Sequence, residues 1–215
     1  MSEKCYRCYR PIKSCYCRYI EPIDTGIKFV FLMHPKEARK QKTGTGRLAN
    51  LTLKDSEILV GIDFSANPRL QALIKDPAYF PTVMYPGPDA YFSDTPEFRQ
   101  RLEGKKLLVF LVDSTWGLAG QILNRNPWIK ALPKLSFKSE YRSQFEIKQQ
   151  PAEYCLSTIE AAYYLIKELQ VPGIAKPEAR AEALMDIFKR MIDYQKDCTL
   201  HAPKRQFNVK AEKGE

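Results

Sequence analysis

The sequence predicts an α/β fold on a mostly parallel sheet, with flanking helices and a small cysteine-bearing knuckle in front. Three observations carry this. Ile27 to Met33 and Lys106 to Val112 are short apolar runs bounded by polar or turn residues, the pattern of strands buried on both faces. Helix-like stretches separate these runs from the weaker strand candidates Glu57 to Val60 and Thr82 to Tyr85, which implies parallel connections. Ahead of them, four cysteines fall within residues 5–17.

The 215 residues suit one domain with an appendage, divided as a head over 1–22, an α/β body over 23–198 and a flexible polar tail over 199–215. Hydrophobic residues at 44% and aromatics at 12% are globular values, and no apolar run nears the roughly 20 residues of a membrane span. Nothing before the cysteines has the layout of a secretory signal. The expectation is a soluble, cytoplasmic protein with no membrane partner. Net charge is +9, and residues 1–47 hold eleven Lys and Arg against four Asp and Glu. Such an end suits a polyanion, although a solvated face is the alternative.

The head comes first. Cys5-x-x-Cys8 and Cys15-x-Cys17 supply four thiolates, the ligand set of a closed, structural zinc site, with Pro11 helping to set the turn between the pairs. Disulfides are the alternative, disfavoured in a reducing compartment. Lys4, Arg7, Arg10, Lys13 and Arg18 interleave with Tyr6, Tyr9, Tyr16 and Tyr19, so the head reads as an RNA-gripping element or else as pure scaffold. Arg39, Lys40 and Arg47 extend the basic set.

The first strand ends in Met33-His34-Pro35-Lys36-Glu37, where His34 reads as a structural histidine. Then comes Thr43-Gly44-Thr45-Gly46-Arg47-Leu48, opening a helix from about Thr45 to Leu53. Its glycines allow close backbone approach, and its first N–H groups suit an anion such as a ligand carboxylate; a simple Thr cap explains the run equally well. Further helices are expected at Pro68 to Lys75, Pro96 to Leu102, Thr115 to Asn124 and Thr158 to Leu169. A long one should follow Pro177 and bury Leu184, Ile187, Phe188, Met191 and Ile192. Tyr85-Pro86-Gly87-Pro88-Asp89-Ala90 is a rigid turn in which Asp89 is a cap or a ligand contact. Cys155 and Cys198 read as packing residues.

Lys106 to Val112 delivers Asp113-Ser114-Thr115-Trp116 to the carboxyl end of a buried strand, the edge where open α/β sheets bind ligands. Alone, Asp113 is a helix cap and Trp116 a core ring. Leu132-Pro133 and Gln150-Pro151 follow, and then Leu156-Ser157-Thr158-Ile159-Glu160-Ala161. Ser157 and Glu160 have capping-box spacing.

Taken in order, C-x-x-C with C-x-C, M-H-P-K-E, T-G-x-G-R-L (Thr43 to Leu48), Y-P-G-P-D-A, V-D-S-T-W, L-P and L-S-T-I-E-A resemble the DTW-domain family over about Cys5 to Leu169. Family members are tRNA-uridine aminocarboxypropyltransferases and are similar to a ribosomal-RNA enzyme with a knotted SPOUT-like fold. The resemblance therefore implies a trefoil-knotted body and S-adenosylmethionine as co-substrate, with its aminocarboxypropyl group going to uridine N3. It implies a co-substrate site at Thr45, Gly46, Asp113, Trp116, Leu132, Pro133, Leu156, Ser157 and Thr158. Asp113 is then the candidate base, assisted by Thr115 and Trp116, and Arg47 meets anionic groups. Monomer and homodimer both fit the family.

Two departures stand out. Gly117 to Gln121 lacks the arginines common in relatives, and Tyr141 to Lys148 is longer than the usual Y-R-x-R, which leaves Arg142 and Lys148 competing for the second basic place. A SPOUT-like RNA methyltransferase and a non-catalytic zinc RNA-binding factor in ribosome maturation are the rival functions.

Overall fold

Lys28–Met33 (β1) and Lys106–Asp113 (β4), the two apolar runs, pair side by side at the centre of a five-stranded sheet in the computed structural model. The described residues are 3–40, 44–147 and 155–201, with only the backbone described at Lys40 and Trp116. Thr43, Lys148, Gln150, Pro151 and the tail beyond His201 lie outside them.

All strands run parallel in the order β2-β1-β4-β3-β5, with Ser56–Val60 as β2, Tyr79–Met84 as β3 and Lys134–Leu135 as β5. Strand pleating splits the core in two. Phe29, Phe31, Leu107, Val109 and Leu111 face one apolar layer, and Val30, Leu32, Leu108 and Phe110 face the other. The first layer is closed by Thr45–Thr52 (α2), Pro96–Leu102 (α4), Thr158–Gln170 (α7) and Glu182–Leu200 (α8). The second is closed by Pro68–Lys75 (α3), Trp116–Arg125 (α5) and Pro127–Ala131 (α6). Pro35–Lys40 (α1) follows β1 directly.

Local chemistry explains most boundaries. Asn67 caps α3 by accepting the Leu70 N–H at 3.0 Å, with Pro68 in the first turn where its missing N–H costs nothing. The expected α8 stripe from Leu184 to Ile192 is buried throughout, although α8 starts at Glu182 rather than just after Pro177 and runs through Leu200, past the expected start of the tail. Cys155 is buried as expected, but Cys198 is exposed on α8 and packs no core. Asn126 ties the second layer together: its Oδ1 accepts the Phe64 N–H and its Nδ2 donates to the carbonyls of Ile62 and Ile122, each at 2.7 Å. No described helix is long and apolar enough to cross a membrane.

Candidate active site

The strand order reverses between β1 and β4. The chain leaves β1 towards β2 on one side and leaves β4 towards β5 on the other, so the crevice at their carboxyl ends is the switch point where such sheets take ligands. Register puts Met33 opposite Asp113 there, and the His34 N–H donates to the Asp113 carbonyl at 3.2 Å.

Asp113 is buried two residues ahead of the N-cap position of the following helix. Thr115 takes the N-cap position of α5, and the Asp113 Oδ1 accepts the Thr158 hydroxyl at 2.6 Å. On its other side stands the first turn of α2. A methyl group on Gly46 would lie 2.3 Å from Asp113 Oδ2, so only a glycine leaves room for the carboxylate. The close approach anticipated for the T-G-T-G run is real, but the anion held there is the protein's own. With its carboxylate between the first turns of α2 and α7, Asp113 gathers three segments far apart in sequence.

The neighbouring expected residues divide. Thr45 and Gly46 are buried in the α2 turn, and Ser157 and Thr158 begin α7 beside half-buried Leu156. Trp116 opens α5 by its backbone. Leu132 and Pro133 enter β5, whose Lys134 is level with Val83, so they stand across β3 from Asp113 instead of beside it. Asp89, exposed in its turn, pairs with Lys134 of β5 at 2.7 Å.

Two carboxylates of α7 hold the 138–145 loop, one of them, Glu168, outside every motif. Glu160, fully buried, closes the expected capping box by accepting the Ser157 N–H at 2.9 Å, and also accepts the Ser143 hydroxyl at 2.8 Å and the Gln144 N–H. Glu168, two turns along α7, accepts the N–H groups of Lys138 and Ser139 and the Tyr141 hydroxyl. The 138–145 loop is thereby pinned on both sides of exposed Arg142.

The head forms a second centre. The four Sγ atoms lie within 4.8 Å of one another, with Cys5 to Cys17 at 3.8 Å and Cys8 to Cys15 at 3.7 Å. A disulfide needs about 2.05 Å, whereas tetrahedral thiolates at about 2.3 Å from a zinc ion stand roughly 3.8 Å apart. All four cysteines are free thiols, so the set fits a metal. The backbone N–H groups of Cys8 and Arg7 pull the Cys5 thiol down to about 6, suiting it to bind as thiolate, while burial pushes the Cys15 and Cys17 thiols up.

The basic residues of the head do not all face outwards. Arg7, Lys13, Arg18 and Arg39 are exposed. Arg10 is buried: its Nε donates to the Ser14 carbonyl at 3.0 Å, and its guanidinium lies 4.3 Å from the Tyr16 ring and 5.2 Å from the Tyr194 ring of α8. That removes Arg10 and the buried Tyr16 from the expected RNA-facing set, because both dock the head on α8. Arg47 stacks 4.4 Å from the Tyr9 ring, joining the head to the α2 turn beside Asp113. A groove of about 900 Å³ lined by Lys13, Arg18, Tyr19, Lys189, Arg190 and Asp193 runs between head and α8.

Fold and site thus define a class, an open parallel α/β domain with a ligand edge at β1 and β4 and a metal-fitting cysteine knuckle docked against it. The DTW domain model matches residues 2–196, and the chain belongs to the DTW-domain family. Among curated proteins it is similar to tRNA-uridine aminocarboxypropyltransferase 2 of Macaca fascicularis, 26% identical over 177 residues that cover 78% of this chain and 56% of that protein. The Mus musculus protein of the same name is 27% identical over 177 residues, covering 78% of this chain and 56% of its own. The Drosophila melanogaster one is 29% identical over 202 residues, covering 91% and 76%. The chain thus spans little more than half the length of the two mammalian relatives. No solved structure matches it significantly.

Proposed function

We propose that this chain transfers the 3-amino-3-carboxypropyl group of S-adenosylmethionine to N3 of a tRNA uridine, in the variable loop, and releases 5′-methylthioadenosine. Family membership and the names of the relatives support the reaction class. The observation that carries the site is the meeting of Gly46, Asp113 and Thr158 at the β1 and β4 carboxyl edge. Unpartnered polar atoms at that edge, His34 Nε2 and Ser114 Oγ, fit a polar co-substrate.

When bound, the co-substrate supplies a γ-carbon made electrophilic by its sulfonium. Asp113 accepts the N3 proton as the N3 to γ-carbon bond forms and the carbon to sulfur bond breaks, its electron pair going to sulfur. The Thr158 hydroxyl and the α2 turn hold the carboxylate in one orientation, which is what a positioned base requires. Thr115 sets the backbone of the loop, Trp116 packs on co-substrate or uracil, and Leu132, Pro133, Leu156 and Ser157 complete the co-substrate side of a trefoil-knotted body. Zinc at Cys5, Cys8, Cys15 and Cys17 is structural, holding the head as a separate unit over 1–22. Arg7, Lys13, Arg18 and Arg39, with Lys40 and Arg47, grip tRNA in the cytoplasm.

The test is product mass after incubating the protein with S-adenosylmethionine and tRNA. An aminocarboxypropyl adduct is expected, lowered about 10²- to 10⁴-fold in rate by Asp113→Asn. A methyl adduct would make the chain a methyltransferase, and near-normal turnover of a folded Asp113→Asn protein would remove Asp113 as base.

A further inference from the structure

His34 is almost fully buried, at 2% exposure, and the reaction proposed above makes no use of it. Its ring is committed on one side. The Lys36 backbone N–H donates to Nδ1 at 3.1 Å, and since that N–H can only donate, Nδ1 carries no proton. The ring proton therefore sits on Nε2, which is a donor with no acceptor. Ser114 Oγ is likewise buried and unpartnered.

The two residues occupy matching places, each the first beyond the end of its strand. Met33 is opposite Asp113 in the register of β1 and β4, so His34 and Ser114 are the next pair along, on adjacent parallel strands about 4.8 Å apart. Both stand at the switch-point crevice, one residue from the Asp113 carboxylate. Buried polar groups in folded proteins are almost always paired, so two orphans at the ends of adjacent strands call for an acceptor.

We infer that His34 Nε2–H and Ser114 Oγ–H form a donor pair that binds a negatively charged oxygen of the substrates at the β1 and β4 carboxyl edge. This rests on the transferase reading above. Two oxygens of the reaction have that chemistry: the carboxylate of the group being transferred, and the uracil carbonyl oxygen onto which charge spreads as N3 loses its proton. Neither donor reaches solvent, so an acceptor bound there is shielded from competing water. A preorganised donor pair of this kind acts like an oxyanion hole, with no reorganisation needed at the moment of reaction.

The variants separate binding from scaffolding. In His34→Asn the side-chain oxygen takes over the Lys36 N–H, as an Asx turn does, while the Nε2 donor is deleted. His34→Gln keeps a donor at the Nε2 position, and Ser114→Ala removes the hydroxyl with little else. Expected is a loss of about 10²-fold in His34→Asn with unchanged melting, partial recovery in His34→Gln, and a loss of the same quantity in Ser114→Ala. Calorimetry with S-adenosylmethionine alone identifies the oxygen. Weakened affinity points to the transferred carboxylate; intact affinity with lower kcat at unchanged tRNA KM points to the uracil. Wild-type affinity and turnover in both His34→Asn and Ser114→Ala would overturn the inference, as would a lower melting point in His34→Asn that accounts for its whole loss. No adduct from wild-type protein would instead sink the transferase reading, and the calorimetric arm, which needs no turnover, would still test the donor pair.

Discussion

The cysteine head and the Asp113 edge are built on opposite principles. Every sulfur of the head comes from residues 5–17, and its hydrogen bonds are equally local, with the Cys5 N–H donating to the Arg10 carbonyl and the Tyr9 N–H to the Cys5 carbonyl, each at 2.8 Å. Tyr9 even holds a left-handed backbone, φ 58°, that a glycine would adopt at less cost, so the turn is imposed rather than preferred. The edge has no local logic. Asp113 meets a threonine 45 residues ahead and a glycine in the first turn of α2. One centre is held by whatever the sulfurs bind, the other by the topology of the sheet.

That difference predicts the largest effect. The head contributes only Tyr16 and the partly buried Ile20 to the main apolar layer, so a metal held by its four sulfurs would carry much of its order; structural zinc supplies about 10 kcal/mol or more in small domains. Stripping metal with a chelator should expose the amides of Cys5, Tyr9, Ser14 and Cys15 to hydrogen exchange while β1 and β4 stay protected. Equal loss of protection in the sheet would show that head and body fold as one unit and would break the comparison.

The edge should fail through its glycine. Gly46→Ala drives a Cβ to within 2.3 Å of the Asp113 carboxylate, which must swing away and give up the Thr158 hydroxyl. Overpacking of this sort costs about 1–3 kcal/mol, with turnover falling further than stability because the displaced group is the proposed base. Gly120→Ala, in α5 with nothing within 4 Å, should instead be neutral or gain up to about 1 kcal/mol. Thermal melts of the two variants decide it: matching Tm values would mean that the α2 turn yields freely and that Gly46 does not fix Asp113.

The same contrast explains what could be read without coordinates. Apolar runs and Pro-led helix starts depend on neighbours in sequence, so β1, β4, α3 and α4 were legible to within a residue or two, and so was the Ser157 to Glu160 box. β5 is two residues long, and α1 and α6 are single short turns behind Pro35 and Pro127, too brief to show a period. Spacing gave the four sulfurs but not which arginine turns inward, since Arg10 and Arg18 read alike until α8 presents Tyr194 to one of them. Glu168 did leave a trace: it stands among Leu165, Ile166 and Leu169 on the buried face of α7, and a carboxylate inside an apolar stripe announces a partner. The identity of that partner, a loop 30 residues away, is a property of the fold.

The smallest effect sharpens where the head ends and the proposed RNA surface begins. Arg10→Ala removes the hydrogen bond to the Ser14 carbonyl and the stacking against Tyr16 and Tyr194, weakening the docking of the head on α8 by about 0.5–2 kcal/mol. A buried guanidinium neutralises no phosphate, so the salt dependence of tRNA binding should keep its slope even as affinity slips. Exposed Lys13 and Arg18 should behave the other way, each alanine variant leaving head protection intact while lowering the slope of log affinity against log salt by roughly one for every phosphate left unneutralised. Binding isotherms across a salt series read both quantities at once. Should Arg10→Ala flatten the slope as Arg18→Ala does, the guanidinium must leave its tyrosines for the RNA, and the head would then be a clamp that opens on binding rather than a knuckle fixed to α8.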